Sequence, residues 1–282
     1  MTRSAANRPK VTDTVVRTDD GAELAVTDES PVSGHSPAVV LVHGWGAARP
    51  VWRAVAADLV AAGHRVISYD QRGHGKSTLG AQPIGIARLG ADLGAVLGAV
   101  DLHGAVVVGH SGGGFAAMSY VTAMRADARA RVRGLVLLST AAHDRDIPNS
   151  EVKMMGNAVF SWALRRPPIG RAMLRQTFGA KKPAPPTAEA NRRMFAGTDR
   201  TVRADYFRAS RGMDLRDDLR TVPIPAVVLA GDADKMIRPD LGEAVAAALP
   251  EATFRTEPGV GHMFPLEAPA AVVSAVAEVI AH

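Results

Sequence analysis

Residues 109–113, Gly109-His110-Ser111-Gly112-Gly113, set a serine among glycines in the pattern G-x-S-x-G. A serine hydroxyl is a weak nucleophile near neutral pH. It becomes effective when an imidazole takes its proton and a carboxylate orients and stabilises that imidazole. The pentapeptide alone arises by chance in roughly one chain in ten of this length, so its surroundings decide its meaning. It follows an apolar, β-rich run at 105–108 and precedes a helical run at 115–125. Strand, tight turn and helix in that order expose a nucleophilic serine at the top of a sheet. The glycines let the turn be tight, because they tolerate positive φ and close backbone approach.

Nine histidines could supply the base. His262, in Gly259-Val260-Gly261-His262-Met263, lies on the loop after the last β-rich run and is the expected base. His43 and His110 stand in glycine-rich turns beside the site and are expected to hold loops. His35, His64, His103, His143 and His282 fall before strands, in connections or at the terminus, where a structural role is expected. For the acid, Gly231-Asp232-Ala233-Asp234 ends an apolar strand at 226–230. Asp234 has left the strand and can turn toward the histidine loop, whereas Asp232 is expected to cap that loop. Asp144 and Asp146 offer a second position after the preceding strand. In chain order the three candidates run Ser111, Asp234, His262. A tetrahedral intermediate also needs backbone donors for its oxyanion. The expected pair is the N–H of Gly112 and the N–H of Trp45 in His43-Gly44-Trp45-Gly46; the Trp45 indole either walls the acyl pocket or simply packs.

The elements that must position these residues are legible as an alternation. Runs at 11–17 and 22–27 flank Asp19-Asp20-Gly21 as a hairpin. Apolar runs at 38–43, 65–70, 105–109, 134–140 and 226–231, with a weaker one at 253–257, read as strands buried on both faces. Helical patterns at 51–62, 86–100, 115–125 and 268–281 separate them. The prediction is an α/β fold: a mostly parallel sheet of roughly eight strands with helices on both faces. Residues 1–142 and 223–282 would form its core. Residues 143–222 hold no convincing strand, and a structureless loop of that length is improbable in a compact domain. They read as an inserted helical cap over the strands' carboxyl ends, with its clearest helix at 150–164.

Composition narrows the function further. With no cysteine among 282 residues, thiol nucleophiles, CxxC redox chemistry and cysteine-ligated zinc are excluded. No stretch of about 18 apolar residues occurs, so no membrane span is expected. The start, with Arg3, Arg8 and Lys10 but no apolar run behind them, reads as a short frayed arm rather than a secretory signal. A cytoplasmic protein acting on a small molecule is expected, with no nucleic-acid partner. The formal net charge is +5, yet residues 143–222 carry 16 Lys plus Arg against nine Asp plus Glu. The basicity therefore sits in the predicted cap, as a solvated surface or as a rim that steers anionic substrates. The same segment holds six of the 13 aromatic residues and five of the ten methionines. Met154, Met155, Phe160 and Trp162 are the candidates for an apolar substrate pocket.

Five motifs in order carry a family resemblance: LVHGWG at 41–46, YDQRGHGKS at 69–77, GHSGGG at 109–114, LAGDADKMI at 229–237 and GVGHMFPLEAP at 259–269. With them the chain resembles the α/β-hydrolase superfamily over nearly its whole length. The resemblance is closest to the branch of small serine esterases, cofactor-free haloperoxidases with perhydrolase activity, and enol-lactone or carbon–carbon bond hydrolases. It implies a Ser-Asp-His hydrolase that needs neither metal nor organic cofactor, with Asp70, Arg72 and His74 structural. Superfamily members that attack with aspartate, such as epoxide hydrolases and haloalkane dehalogenases, are disfavoured because the elbow carries Ser111. A scaffold that only binds small molecules would be expected to have lost a triad member, and none is missing.

Overall fold

The computed structural model describes residues 9–33 and 36–282, so Arg3, Arg8 and His35 lie outside the described residues. Eight strands form one sheet: β1 (Lys10–Arg17), β2 (Glu23–Ser30), β3 (Ser36–Val42), β4 (His64–Tyr69), β5 (Ala105–His110), β6 (Val132–Leu138), β7 (Ala226–Gly231) and β8 (Ala252–Glu257). Their order is β1-β2-β4-β3-β5-β6-β7-β8. From β4 to β8 every pairing is parallel, and only β2 runs against its neighbours.

Helices α1 (Arg53–Ala61), α2 (Ile86–Ala99), α3 (Gly112–Ala123), α4 (Arg125–Arg131), α11 (Pro239–Ala248), α12 (Phe264–Glu267) and α13 (Pro269–Ala281) accompany the sheet. Between β6 and β7 lie α5 (Asn149–Met155), α6 (Ala158–Arg165), α7 (Pro167–Met173), α8 (Pro185–Gly197), α9 (Arg200–Ala209) and α10 (Arg216–Leu219).

The continuous apolar runs follow from burial on both faces. Val40, Val42, Val107, Leu135 and Val228 pack against Leu89 and Leu93 of α2, Tyr120 of α3 and Val245 of α11. Their neighbours Val39, Leu41, Val106, Val108 and Val227 face the other way, against Val55 and Leu59 of α1 and Val272 and Val276 of α13. Because successive side chains alternate sides, a strand in this position has no polar face to show.

Between β6 and β7 the described residues contain no strand beyond an isolated bridge between His143 and Asp214. The helix expected over 150–164 is two helices. Gly156 closes α5, and the Asn157 side chain accepts the amides of Val159 and Phe160 to start α6. The sequence reading also passed over α4 and α11, although Pro239 followed by Asp240 is a usable start signal for α11.

The turn after β4 is held by a buried ion cluster. The Arg72 guanidinium, wholly buried, pairs with Asp92 of α2 at 2.7 Å and with Asp20 of the β1–β2 turn at 2.9 Å. Hairpin, sheet and α2 thus meet on one side chain, and Tyr206 of α9 donates its hydroxyl to the Arg72 carbonyl at 2.9 Å. Removing one partner of a buried pair strands the other's charge. Arg72→Ala should therefore cost about 3–5 kcal/mol of unfolding free energy, read from a shifted urea midpoint; a loss near zero would show that the cluster does not hold the turn.

Candidate functional site

Ser111 sits between β5 and α3 at φ 52°, ψ −120°, a left-handed backbone that few non-glycine residues adopt. What holds it there is contact on every side. A Cβ on Gly113 would lie 2.1 Å from the Val42 carbonyl oxygen, and one on Gly109 would lie 2.7 Å from the Gly113 carbonyl oxygen. The Ser111 N–H donates to the Leu138 carbonyl at 2.8 Å, and the Thr140 hydroxyl donates to the Ser111 carbonyl at 2.8 Å. Strand end, turn and helix start are locked together at van der Waals distance.

Three residues distant in sequence meet at this point. The His262 Nε2 lies 3.0 Å from the Ser111 Oγ, and its Nδ1 lies 2.9 Å from the Asp234 Oδ2. Asp234 is 4% exposed. Burial alone would raise its carboxyl pKa, but the charge and hydrogen bond of His262 and the amides of Ile237 and Met236 outweigh it and hold it below the ordinary value. An ionised Asp234 accepts, so Nδ1 carries the imidazole proton and Nε2 is left to accept from the Ser111 hydroxyl. The Asp144 carboxylate accepts the amides of Asp146 and Gly212 and not the His262 imidazole, although Asp144 lines one of the cavities beside Ser111. Asp232 accepts the Gly259 amide at 2.6 Å and so caps the histidine loop.

His262 is fixed through its backbone as well. Its carbonyl accepts from His110 Nε2 at 2.7 Å, and its N–H donates to the Thr177 carbonyl at 2.9 Å. Because a carbonyl can only accept, His110 is protonated on Nε2, and its buried Nδ1 has no partner among the described residues. Two more buried imidazoles hold the turn after β3. His43 donates from Nδ1 to the Gly44 carbonyl and accepts the Gln71 amide on Nε2; His74 donates to the Arg72 carbonyl and accepts the Gly46 amide. Burial depresses all three, His74 and His110 to about 3, with the neighbouring imidazoles His43 and His262 adding to the effect.

That turn carries Trp45, whose indole lies against α3. A Cβ on Gly112 would stand 2.0 Å from Trp45 Nε1. Among the described residues neither the Trp45 nor the Gly112 amide N–H is engaged in a hydrogen bond. The indole also touches Phe115, Tyr206 and Phe207, with ring centroids 5.2–5.7 Å apart.

Two small cavities flank the Ser111–His262 pair and share Trp45, Phe207 and Met236 as walls. One, of about 50 Å³, is completed by Phe115 and Ile147; the other, of about 70 Å³, by Leu174, Thr177, Phe195 and Met263. Each has room for about two water volumes. The expected pocket residues are elsewhere. Trp162 is 54% exposed and Met154 is also at the surface. Met155 is buried against Ala204 and Phe207, and Phe160 packs between two small apolar clusters, but neither lines these cavities. The expected pocket residues on α6 therefore do not reach the cavities beside Ser111. Phe195 and Phe207 take the place of these residues, and their only sequence signal was the aromatic surplus of the segment.

With this geometry in view, the relatives are informative. Residues 39–275 match the sequence profile of the alpha/beta hydrolase family, and the chain belongs to that family. It is 28% identical to a non-heme chloroperoxidase of Burkholderia pyrrocinia, over 88% of this chain and 92% of that one. It is 25% identical to a bifunctional esterase/perhydrolase of Acinetobacter calcoaceticus, over 89% and 93% of the two chains. Among solved structures, the enol-lactonase of Burkholderia xenovorans LB400 superposes with a TM-score of 0.81 at 25% identity, covering 96% of this chain and all of that one. The protein is thus a hydrolase-family enzyme whose relatives span haloperoxidases, esterases and lactonases.

Two outcomes follow from the site's construction. Gly112→Ala must displace the Trp45 indole, and under the function proposed below kcat should fall by roughly 10²-fold or more, the scale of losing one transition-state hydrogen-bond donor; unchanged kcat would show that the indole has room to move. The buried imidazoles set an acid limit. Their folded pKa values lie below the unfolded value of 6.5, so their contribution is complete above pH 6.5 and is lost as pH falls from there toward about 3. Thermal midpoints should drop across that range, and His74→Gln should flatten the drop.

Proposed function

We propose that the protein is a serine hydrolase that cleaves a carboxylic ester, or a related acyl bond, of a small apolar acyl group. The observation that carries this reading is the hydrogen-bonded chain from Ser111 Oγ through His262 to Asp234. His262 Nε2 takes the Ser111 proton as Oγ attacks the carbonyl carbon. The N–H groups of Gly112, at the start of α3, and of Trp45 receive the oxyanion, and Asp234 stabilises the imidazolium. As the tetrahedral intermediate collapses, His262 passes its proton to the leaving alkoxide, and the acyl group stays on Ser111. Water then loses a proton to His262 and attacks the acyl-enzyme, and the second collapse returns that proton to Ser111 Oγ.

The segment 143–222 acts in this reading as a cap: Ile147, Leu174, Phe195 and Phe207 close the cavities from above the strand ends. The cavity size favours acetyl- or propionyl-sized groups. The relatives named as haloperoxidases and as an esterase/perhydrolase give a second reading some support, in which hydrogen peroxide replaces water in the second step and the acyl-enzyme is released as a peracid. Peroxide-dependent bromination in acetate buffer distinguishes it.

A fluorophosphonate probe should label the protein at Ser111, and Ser111→Ala should abolish both labelling and turnover. Across a series of p-nitrophenyl esters, kcat/KM should fall steeply from acetate to octanoate. An unlabelled wild-type protein that hydrolyses no activated ester would refute the proposal.

A further inference from the structure

The basic surplus of the segment 143–222 is not spread evenly. Between Glu151 and Glu189 there is no acidic residue at all, against seven Lys and Arg. Arg171 is paired with Glu189, and Arg175 donates to the carbonyls of Phe178 and Gly179. The other five, Lys153, Arg165, Arg166, Lys181 and Lys182, are exposed and have no carboxylate partner among the described residues.

The same stretch holds the strongest exposed apolar surface on the helices. Val159 is 72% exposed, Trp162 54% and Ile169 44%, and the Arg166 guanidinium lies 4.9 Å from the Trp162 ring centroid. These side chains stand on a built platform. Asn157 caps α6, and on the inner side of the hairpin Leu164 is fully buried, with Gly170 packed against the Leu164 carbonyl. The α6–α7 hairpin is thus packed at Leu164 and Gly170, while Val159, Trp162 and Ile169 are left uncovered beside exposed arginines.

We propose that the outer face of this hairpin docks on an anionic lipid surface. Val159, Trp162 and Ile169 would enter the headgroup boundary, while Arg165 and Arg166 meet lipid phosphates. Each part of the surface fits that occupant: a tryptophan and aliphatic side chains for the interfacial region, long cationic side chains, and no carboxylate on either helix to repel the lipid. A two-fold-related second copy fits less well, because it would set like charges against each other without a carboxylate to pair them. No helix among the described residues is long and apolar enough to cross a membrane, so contact by this face would lie on the surface of the bilayer. Helix α7 leads directly into the turn whose Leu174 and Thr177 wall the 70 Å³ cavity, so the docked face ends one turn from the site.

The docking does not depend on what Ser111 does, and neither does its test. Trp52 is buried and Trp45 is packed among aromatic rings, which leaves Trp162 as the exposed fluorophore. Full-length protein is mixed with vesicles of phosphatidylcholine alone or of equal parts phosphatidylcholine and phosphatidylglycerol, and flotation is measured with tryptophan emission. The anionic vesicles should carry the protein upward and shift its emission to the blue, the shift disappearing in Trp162→Phe. Arg165→Gln with Arg166→Gln should weaken binding about thirtyfold, and Val159→Ser with Ile169→Ser at least tenfold, with thermal midpoints confirming that each variant is folded. Absence of flotation, equal flotation with both vesicles, or variants that bind as the wild type does would overturn the proposal. So would a Trp162 shift produced by self-association, or by duplex nucleic acid in preference to vesicles.

Discussion

The rest of the structure depends on the approach of the first turn of α3 to the end of β3. Gly113 touches the Val42 carbonyl, Gly114 the Thr140 side chain, and Gly112 the Trp45 indole. A Cβ at Gly113 would collide with backbone, and one at Gly112 or Gly114 would have to displace the Trp45 or Thr140 side chain. That contact forces Ser111 into its left-handed backbone and lifts its hydroxyl off the sheet. It also sets the Trp45 and Gly112 amides on adjoining segments, so the proposed nucleophile and its proposed oxyanion donors are fixed by one set of contacts. Strain of this kind persists only where the surroundings over-determine it, and here sheet, helix and aromatic cluster all do.

A second layer of order comes from imidazoles that carry no charge. His43 and His74 each give one hydrogen bond and receive one, tying the turn of Trp45 to the turn after β4. His110, next to the serine, holds the backbone of His262 instead of competing with it as a base. Burial disfavours the charged form of all three rings, and in His43 and His74 the neutral ring leaves one nitrogen to accept an amide. The β6–β7 segment adds the remaining anchor through Thr177, whose carbonyl takes the His262 amide. Glu267 closes the same seam by accepting the amides of Gly179 and Gly261. The histidine loop is thus gripped from the core on one side and from the proposed cap on the other.

Much of this was legible in the residues because it is dictated locally. Strands buried on both faces have to be continuously apolar, and the residues after them have to leave the sheet at its carboxyl edge, so Ser111, Asp234 and His262 could be placed by their strands. The separate assignments of Asp232 as a loop cap and His110 as a loop holder follow from the same logic, and the contacts agree with them. The pocket walls were not legible. Phe195 of α8 lines a cavity beside Ser111 and Phe160 of α6 does not; composition counts aromatic residues without giving their phase. The helix α4 was missed because its seven residues, Arg125 to Arg131, alternate charge with alanine and carry no apolar stripe.

The central claim is that the hydrogen-bonded chain from Ser111 through His262 to Asp234 makes the serine oxygen the attacking atom. Mass spectrometry of the protein quenched during turnover of a short-chain aryl ester tests it most directly. The account predicts a covalent acyl group on the peptide that contains Ser111, accumulating when Asp234 or the deacylating step is impaired. Turnover that continues in Ser111→Ala, or an acyl group found only on another residue, would contradict it.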